Sequence, residues 1–398
     1  MTMPQTRHYE MKDSGVEWIG KMPIGWKIVP AKFFMKVQAG YPFDSERFDN
    51  SQGIPLIRIR DITSGHTETF YNGDYPEEYV VHNNDLLVGM DGDFNVRWWQ
   101  GGEAVLNQRC CRIFARNGLL LRYFYFLLPF YLKQVNELAY STTVKHLANG
   151  DIGNADICLP PEDEQTAIAA YLDEKCATID AIIAEAKASI EEYKSWKASV
   201  IFETVTKGLN PNAEMKDSGV EWIGEMPGHW EIQKAKYYIT VTNGSDPVTE
   251  GEIPVYGSGS KSFRTCGEYK EGPTVLVGRK GSIDKPRYVT GRYWNVDTAF
   301  DVKTKGFDLR LYYYLATCFD YQFYMSQTTL PSMTQTNYRN MFLPVPPLPE
   351  QTAIAAYLDS KCAAIGGIIL EKEDLIRELE NYRRSLIFEV VTGKRRVC

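Results

Sequence analysis

Histidine is scarce in this chain, and a decisive excess of charge is missing. The 398 residues include five scattered histidines, and none of the eight cysteines (Cys110, Cys111, Cys158, Cys176, Cys266, Cys318, Cys362, Cys398) forms a C-x-x-C pair. A structural zinc site is therefore not expected, and no Ser/His/Asp or Cys/His arrangement can be assembled. There is no G-x-x-x-x-G-K-[ST] loop, which argues against ATP hydrolysis. The Gly/Ser-rich stretch 257–262 has the wrong spacing and reads as a turn. No G-x-G-x-x-G follows a strand. The Asn-Pro-Pro-aromatic motif of adenine methyltransferases is also absent. Pro160-Pro161 and Pro346-Pro347 lack its flanking residues and read as breaks between a strand and a helix. No run of about 18 apolar residues occurs, which on composition excludes a membrane span. The opening MTMPQTRHYE has no apolar signal core. These absences point to a non-catalytic cytoplasmic protein with reduced thiols and no metal of its own.

Charge is indecisive over the whole chain. Lys and Arg number 44 against 51 Asp and Glu, a net −7, which argues against a strongly basic nucleic-acid binder. The sum hides an asymmetry. Residues 161–209 hold 5 basic and 10 acidic side chains, residues 26–160 hold 13 and 15, and residues 230–347 hold 14 and 11. The last two segments thus allow a local basic face without requiring one.

Repetition dominates what is present. Residues 10–32, EMKDSGVEWIGKMPIGWKIVPAK, recur at 214–236 with 17 of 23 positions identical. EQTAIAAYLD, residues 164–173, recurs unchanged at 350–359. The order is opener, variable region, helix, and then the same again, with the second variable region 18 residues shorter. A period near 200 is too long for a solenoid. It reads as two copies of a whole unit whose frame stays alike while the interior diverges. Two similar frames carrying different recognition surfaces fit this pattern better than a duplication kept for stability alone.

From Glu164 there is no Pro or Gly before Gly208. Ile168, Leu172, Cys176, Ile179, Ile183, Ala186 and Ile190 form a heptad-like seam, which predicts a rod of roughly 65 Å. The second rod runs over about 349–391, and its Gly366-Gly367 suggests a bend or a close helix–helix approach. Seams of equal length can pack antiparallel against each other, or each rod can pack on its own domain alone.

The variable regions alternate β-branched and aromatic runs with Gly and Pro turns, so each reads as a mixed α/β domain of short strands. Aromatic-rich helical stretches are expected near 119–135 and 309–325. The turn 278–282 places Arg279, Lys280 and Ser282 after an apolar strand, with backbone N–H groups expected to be free. The stretch 91–97, with Asn95 and Arg97, holds the corresponding place in the first copy. Arg and Asn side chains can contact guanine and adenine edges. Arg58, Arg60, Lys145 and Lys261 complete the candidate DNA-contacting set, and for each the alternative is a solvated loop residue. The repeated frame offers Trp18, Trp222, Gln165, Tyr171, Gln351 and Tyr357 as candidates for docking a partner.

Lys-Asp-Ser-Gly-Val-Glu-Trp-Ile-Gly followed by Met-Pro and Trp (12–26 and 216–230) resembles the opener of specificity subunits of type I restriction-modification systems. Leu-Pro-Pro-x-x-Glu-Gln-x-x-Ile-Ala-x-Tyr-Leu-Asp (159–173, echoed at 345–359) is similar to that family's junction between domain and spacer. The resemblance implies an α/β, mixed α+β fold. It consists of two globular target recognition domains separated by two long antiparallel helices, with a pseudo-twofold internal repeat. The implied segments are residues 1–160 (opener and first recognition domain), 161–209 (first spacer helix), 210–347 (linker, second opener and second recognition domain) and 348–398 (second spacer helix and tail). Each domain would read half of a bipartite site in double-stranded DNA. Two methyltransferase subunits would dock on the frame, and motor-nuclease restriction subunits would join them. S-adenosylmethionine, ATP and Mg²⁺ would belong to those partners. The rival readings are a scaffold that binds proteins through its rods without touching DNA, and an orphan methyltransferase or nuclease.

Overall fold

The computed structural model describes residues 10–138, 147–154, 156–259, 261–326 and 331–397. Among them are seven α-helices: α1 (Ile59–Ser64), α2 (Leu121–Leu138), α3 (Asn149–Gly153), α4 (Glu162–Lys207), α5 (Leu309–Ala316), α6 (Gln335–Asn340) and α7 (Leu348–Val391). The chain forms two compact units, one of Met1–Glu185 with Leu375–Cys398, the other of Ala186–Asp374. Both boundaries fall inside α4 and α7, so each unit contains half of each long helix.

The long helices begin and end where local chemistry dictates. Glu162, Asp163 and Glu164 occupy the first turn of α4, where carboxylates offset the unpaired N–H groups and the positive end of the helix dipole. At the other end Gly208 takes a left-handed φ of +73°, and its N–H returns to the Thr204 carbonyl. Gly393, with φ +72°, plays the same part after α7. The apolar seam buries as its spacing predicts. In the first unit Ile168, Leu172, Cys176, Ile179 and Ile183 of α4 share a core with Leu386, Ile387, Val390 and Val391 of α7 and with Tyr123, Phe124 and Leu127 of α2. In the second, Ile201 and Val205 of α4 join Ile354, Leu358 and Cys362 of α7 and Leu311, Tyr312 and Leu315 of α5. The helices run antiparallel, and each packs on the other and on a globular core.

The Gly366-Gly367 pair does not bring backbones together. Helix α7 runs through it unbroken, and a Cβ placed on either glycine would meet open space. Helix α7 also corrects the composition argument about membranes, because a window within it is apolar enough, by length and composition, to cross one. In the fold, Ile354, Ala355, Leu358, Cys362 and Ile365 of this helix are buried.

The two variable regions share one strand plan. In the first unit an antiparallel sheet runs in the order Val96–Trp98, Leu86–Gly89, Cys110–Ala115, Met35–Ala39. A second sheet contains the parallel pair Ile54–Ile57 and Ala104–Leu106. In the second unit the antiparallel sheet is Ile239–Asn243, Ala299–Thr304, Thr274–Gly278, Arg287–Val289, and the parallel pair is Ile253–Tyr256 with Arg292–Asn295. The openers are twin hairpins, Met11–Asp13 with Lys21–Pro23 and Met215–Asp217 with Glu225–Pro227. Helix α5 is shorter than its aromatic run suggests. It stops at Ala316, where the Thr317 hydroxyl turns back to donate to the Tyr314 carbonyl (2.7 Å).

Candidate nucleic-acid interface and its supporting frame

In the second unit the strand Thr274–Gly278 is buried along its whole length and delivers residues 279–282 to the surface. The N–H groups of this turn are not free, contrary to the expectation from its glycines. Arg279 N donates to the Thr298 carbonyl (2.8 Å), Lys280 N reaches the same oxygen at 3.4 Å, and Gly281 N donates to the Pro331 carbonyl (3.2 Å). The Arg279 carbonyl accepts from Met333 N (2.8 Å), and Tyr338 Oη donates to the Gly278 carbonyl (2.7 Å). The backbone is thus clamped between two neighbouring segments, and only the side chains of this turn are left to meet a ligand. Arg279 lies over Phe300 (5.9 Å), with Asp297 Oδ2 at 3.9 Å. Lys280 is exposed and Ser282 half-buried. The 257–259 loop abuts this turn, since Ser258 Oγ lies 3.4 Å from where a Gly281 Cβ would sit. Lys261, just beyond it, is exposed. A cleft of about 410 Å³ beside the turn is lined by Gly281, Asp284, Phe319, Asp320 and Met325.

In the first unit α1 packs beside the strands Leu86–Gly89 and Val96–Trp98. This brings Arg58, Arg60, Asn95 and Arg97 into one neighbourhood. Arg97 spends its guanidinium internally, with Nε donating to the Ile62 carbonyl (2.7 Å) and Nη2 to the Thr63 carbonyl. It thereby satisfies the orphan carbonyls at the end of α1. Arg58 lies over Phe48 (5.7 Å), and Arg60 Nη2 donates to Thr69 Oγ1 (2.8 Å). Asn95 is exposed, and its carbonyl accepts from Gly89 N (2.9 Å). Arg109, on the turn before Cys110–Ala115, was not among the candidates and pairs with Asp91 (3.3 Å) of the 91–97 stretch. Lys145 lies outside the described residues.

The repeated motifs form the frame beneath these loops. Gln165 and Gln351 are not docking residues, because they are 1% and 2% exposed and face inward. Gln165 Oε1 accepts from Leu120 N (2.8 Å), while its Nε2 donates to the Gly118 and Pro160 carbonyls. Gln351 repeats this with Asp308 N (2.8 Å) and the Pro346 carbonyl (2.8 Å). Each carboxamide ties the start of a long helix to the domain before it, which buried amides require.

A second tie had a signal in the sequence that the longer repeated motifs overshadow, Leu-Arg-x-x-Tyr at 121–125 and again at 309–313. Asp173, the last residue of the EQTAIAAYLD motif, binds Arg122 of α2 (2.9 and 3.1 Å to Nε, 2.5 Å to Nη2), and the guanidinium lies over Trp98 and Tyr125. Its counterpart Asp359 binds Arg310 Nε (2.5 Å) and accepts from Tyr314 Oη (2.6 Å), with Arg310 over Tyr288. Burial and the hydrogen bond to Asp359 push the Tyr314 phenol upward.

One difference between the copies has a local cause. Trp26 Nε1 donates to Glu164 Oε2 (2.9 Å), but in the second copy Gly25 is replaced by His229, which takes Glu350 Oε2 (2.9 Å) for itself. Trp230 Nε1 is then buried without a hydrogen-bond partner. The remaining frame residues lie nearer the surface. Trp18 and Trp222 are partly buried against their cores, Tyr171 likewise, and Tyr357 is 38% exposed. Burial pushes the Cys111 thiol up to about 12, and Cys158 and Cys318 to about 11. None of these three is a thiolate near neutral pH.

Residues 23–192 and 231–381 match the family of the type I restriction modification DNA specificity domain. The specificity subunit of the type I restriction enzyme EcoBI of Escherichia coli is 36% identical over 202 residues, which cover 50% of this chain and 43% of that protein. The match therefore spans less than half the length of that relative. The MjaVIII specificity subunit of Methanocaldococcus jannaschii is 24% identical over 417 residues, covering 95% of this chain and 94% of the relative. A chain solved in work on the complex assembly and conformational transition of the type I R-M system superposes with a TM-score of 0.71 at 16% identity. That superposition covers 93% of this chain and 98% of the other, a likeness of fold. With its matched stretches in both copies and taking in most of its length, the chain belongs to the type I restriction-modification DNA specificity family.

Proposed function

We propose that this chain reads DNA sequence for a type I restriction-modification complex and carries out no chemistry itself. Each unit would recognise one half of a bipartite site in double-stranded DNA. The paired helices would set the gap between halves and dock two methyltransferase subunits. Motor-nuclease subunits would join them, and S-adenosylmethionine, ATP and Mg²⁺ would serve those partners, in the cytoplasm and away from any membrane. The observation that carries this reading is the contrast inside the repeat. The two units share one strand plan and one set of buried ties, yet their exposed loops differ in nearly every side chain. Such a pattern suits one scaffold presenting two readouts, since phosphate contacts fix register and base contacts specify sequence. Helices α4 and α7 also expose Ile182, Trp196, Leu370 and Tyr382, which suit docking of further helices. Methylation-sensitive sequencing of the host genome, with and without this gene, tests the proposal. The expected result is loss of one bipartite motif with a fixed gap, and an unchanged methylome would overturn it.

A further inference from the structure

The two units share an exposed cationic patch that the recognition loops do not include. It begins at a 3-10 turn in the frame, Ala31–Phe33 in the first unit and Ala235–Tyr237 in the second. Each turn is anchored by a buried alanine and presents a lysine followed by an aromatic ring that is largely in solvent, Phe33 at 59% and Tyr237 at 64% exposure. The lysine ammonium lies over its neighbour's ring, Lys32 over Phe33 at 5.6 Å and Lys236 over Tyr237 at 4.9 Å.

A second cation stands beside each turn. Arg116 leaves the strand Cys110–Ala115 and donates its N–H to the Phe34 carbonyl at 2.7 Å. Lys305, at the same point after Ala299–Thr304, donates to the Tyr238 carbonyl, also at 2.7 Å. A third cation shows that charge rather than residue identity is kept. Lys36 faces Phe114 across one strand pair, and at the equivalent pair Thr240 faces Lys303. The lysine has moved to the opposite strand, yet directly opposed side chains on one face project together, about 5 Å apart at Cβ. All six cations are exposed, and none is in an ion pair with a carboxylate of the described residues. Lys303 Nζ also donates to the Glu271 carbonyl (3.2 Å), a contact that leaves its charge unneutralised, whereas Arg112, Arg122 and Arg310 are paired with carboxylates.

We infer that Lys32, Lys36 and Arg116 in one unit, and Lys236, Lys303 and Lys305 in the other, bind the phosphodiester backbone of duplex DNA without regard to sequence. This rests on the DNA-reading function proposed above and adds a second class of contact to it. The reason is geometric. Two different half-sites demand two different sets of base contacts, so base-reading residues must diverge between the copies. The phosphate lattice is the same at both half-sites, so residues that grip it can remain in equivalent places. The exposed ring would supply an apolar ledge for a sugar face and hold the lysine head forward.

The test uses the full chain purified with its methyltransferase subunits. Two triple variants remove one patch each: Lys32→Ala, Lys36→Ala, Arg116→Ala, and Lys236→Ala, Lys303→Ala, Lys305→Ala. Binding is followed by fluorescence anisotropy over a salt series, on a duplex bearing the host motif and on an unrelated duplex. Each triple should reduce the slope of log K against log salt by two to three, at about 0.9 per phosphate lost. The loss should be equal on both duplexes, and the methylated motif should be unchanged. Arginine at all three positions should restore the slope. A wild-type slope in the variants, while the parent complex binds DNA normally, would overturn the inference. So would failure of the variants to co-purify with the methyltransferase subunits, which would make the patch a protein dock. If the parent complex bound no DNA, the DNA-reading function itself would fall instead.

Discussion

Gln165 shows how a side chain that looks like a surface handle in sequence can be a structural tie. Its carboxamide satisfies one N–H and two carbonyls where the first unit meets α4. Gln165→Leu keeps the volume and removes all three partners. Leaving buried polar groups unsatisfied costs about 1–3 kcal/mol each, so a loss of at least 2 kcal/mol in urea unfolding of the chain is expected. Gln351→Leu, with two partners lost, should cost less. The side chains proposed to contact DNA should behave differently. Lys280 is exposed on a clamped turn, so Lys280→Ala should leave stability unchanged within about 0.5 kcal/mol. It should also lower the salt slope of DNA binding by about one. Arg279 is partly engaged by Asp297 and Phe300. If it reads a guanine, Arg279→Ala should cost about 1–3 kcal/mol on the host motif and relax one base of one half-site in the methylome. The glutamines could not be assigned from sequence because inward and outward polar residues look alike when a motif is repeated. Only the hydrogen-bond partners distinguish them, one five residues before each glutamine and the others 43 to 47 residues before it.

The long helices were the most legible elements, because heptad spacing and the Gly or Pro at each end are strictly local signals. The strand plan was less so. Short strands could be located from apolar runs, but the pairing of Ile54–Ile57 with Ala104–Leu106 joins segments some fifty residues apart, and no local pattern encodes it. Nor could sequence show that the compact units divide in the middle of α4 and α7, and this division dictates how a spacer should be altered. An insertion at 208–213 would fall wholly within the second unit, where Gly208 already packs against Trp230 and Glu350. To change the gap, residues must enter both helices near the boundaries, at about 186 in α4 and about 374 in α7. Seven residues in each preserve the heptad faces and add about 10 Å. The expected result is a methylated motif with both half-site sequences retained and a gap about three base pairs longer. Seven residues in α4 alone should instead mismatch the seams and lower the melting temperature. An unchanged gap in a stable paired variant would show that the helices do not measure the distance between half-sites.

The molecule as a whole is a repeat whose copies agree in the frame and differ in the loops that the frame carries. Asp173 and Asp359 make the same tie to an arginine held over aromatic rings at equivalent places, Trp98 and Tyr125 in one unit and Tyr288 and Tyr313 in the other. The frame is therefore expected to accept a different domain so long as that domain supplies an arginine on its aromatic helix and a backbone N–H to the glutamine at the start of α4 or α7. This makes an exchange experiment sharper than one designed from sequence. Residues 26–160, replaced by the corresponding region of a homologue that retains the equivalents of Trp26 and Arg122, should fold on the existing frame and co-purify with the same methyltransferase subunits. Its methylome should show one half of the bipartite motif replaced, the other half kept and the gap unchanged. A chimera in which Arg122 is also changed to Met should lose stability through the unpaired Asp173 while keeping the new half-site. That outcome would separate the tie from the readout. Replacement of both halves of the motif would mean that the two units read DNA jointly, and the division of labour proposed for the repeat would have to be abandoned.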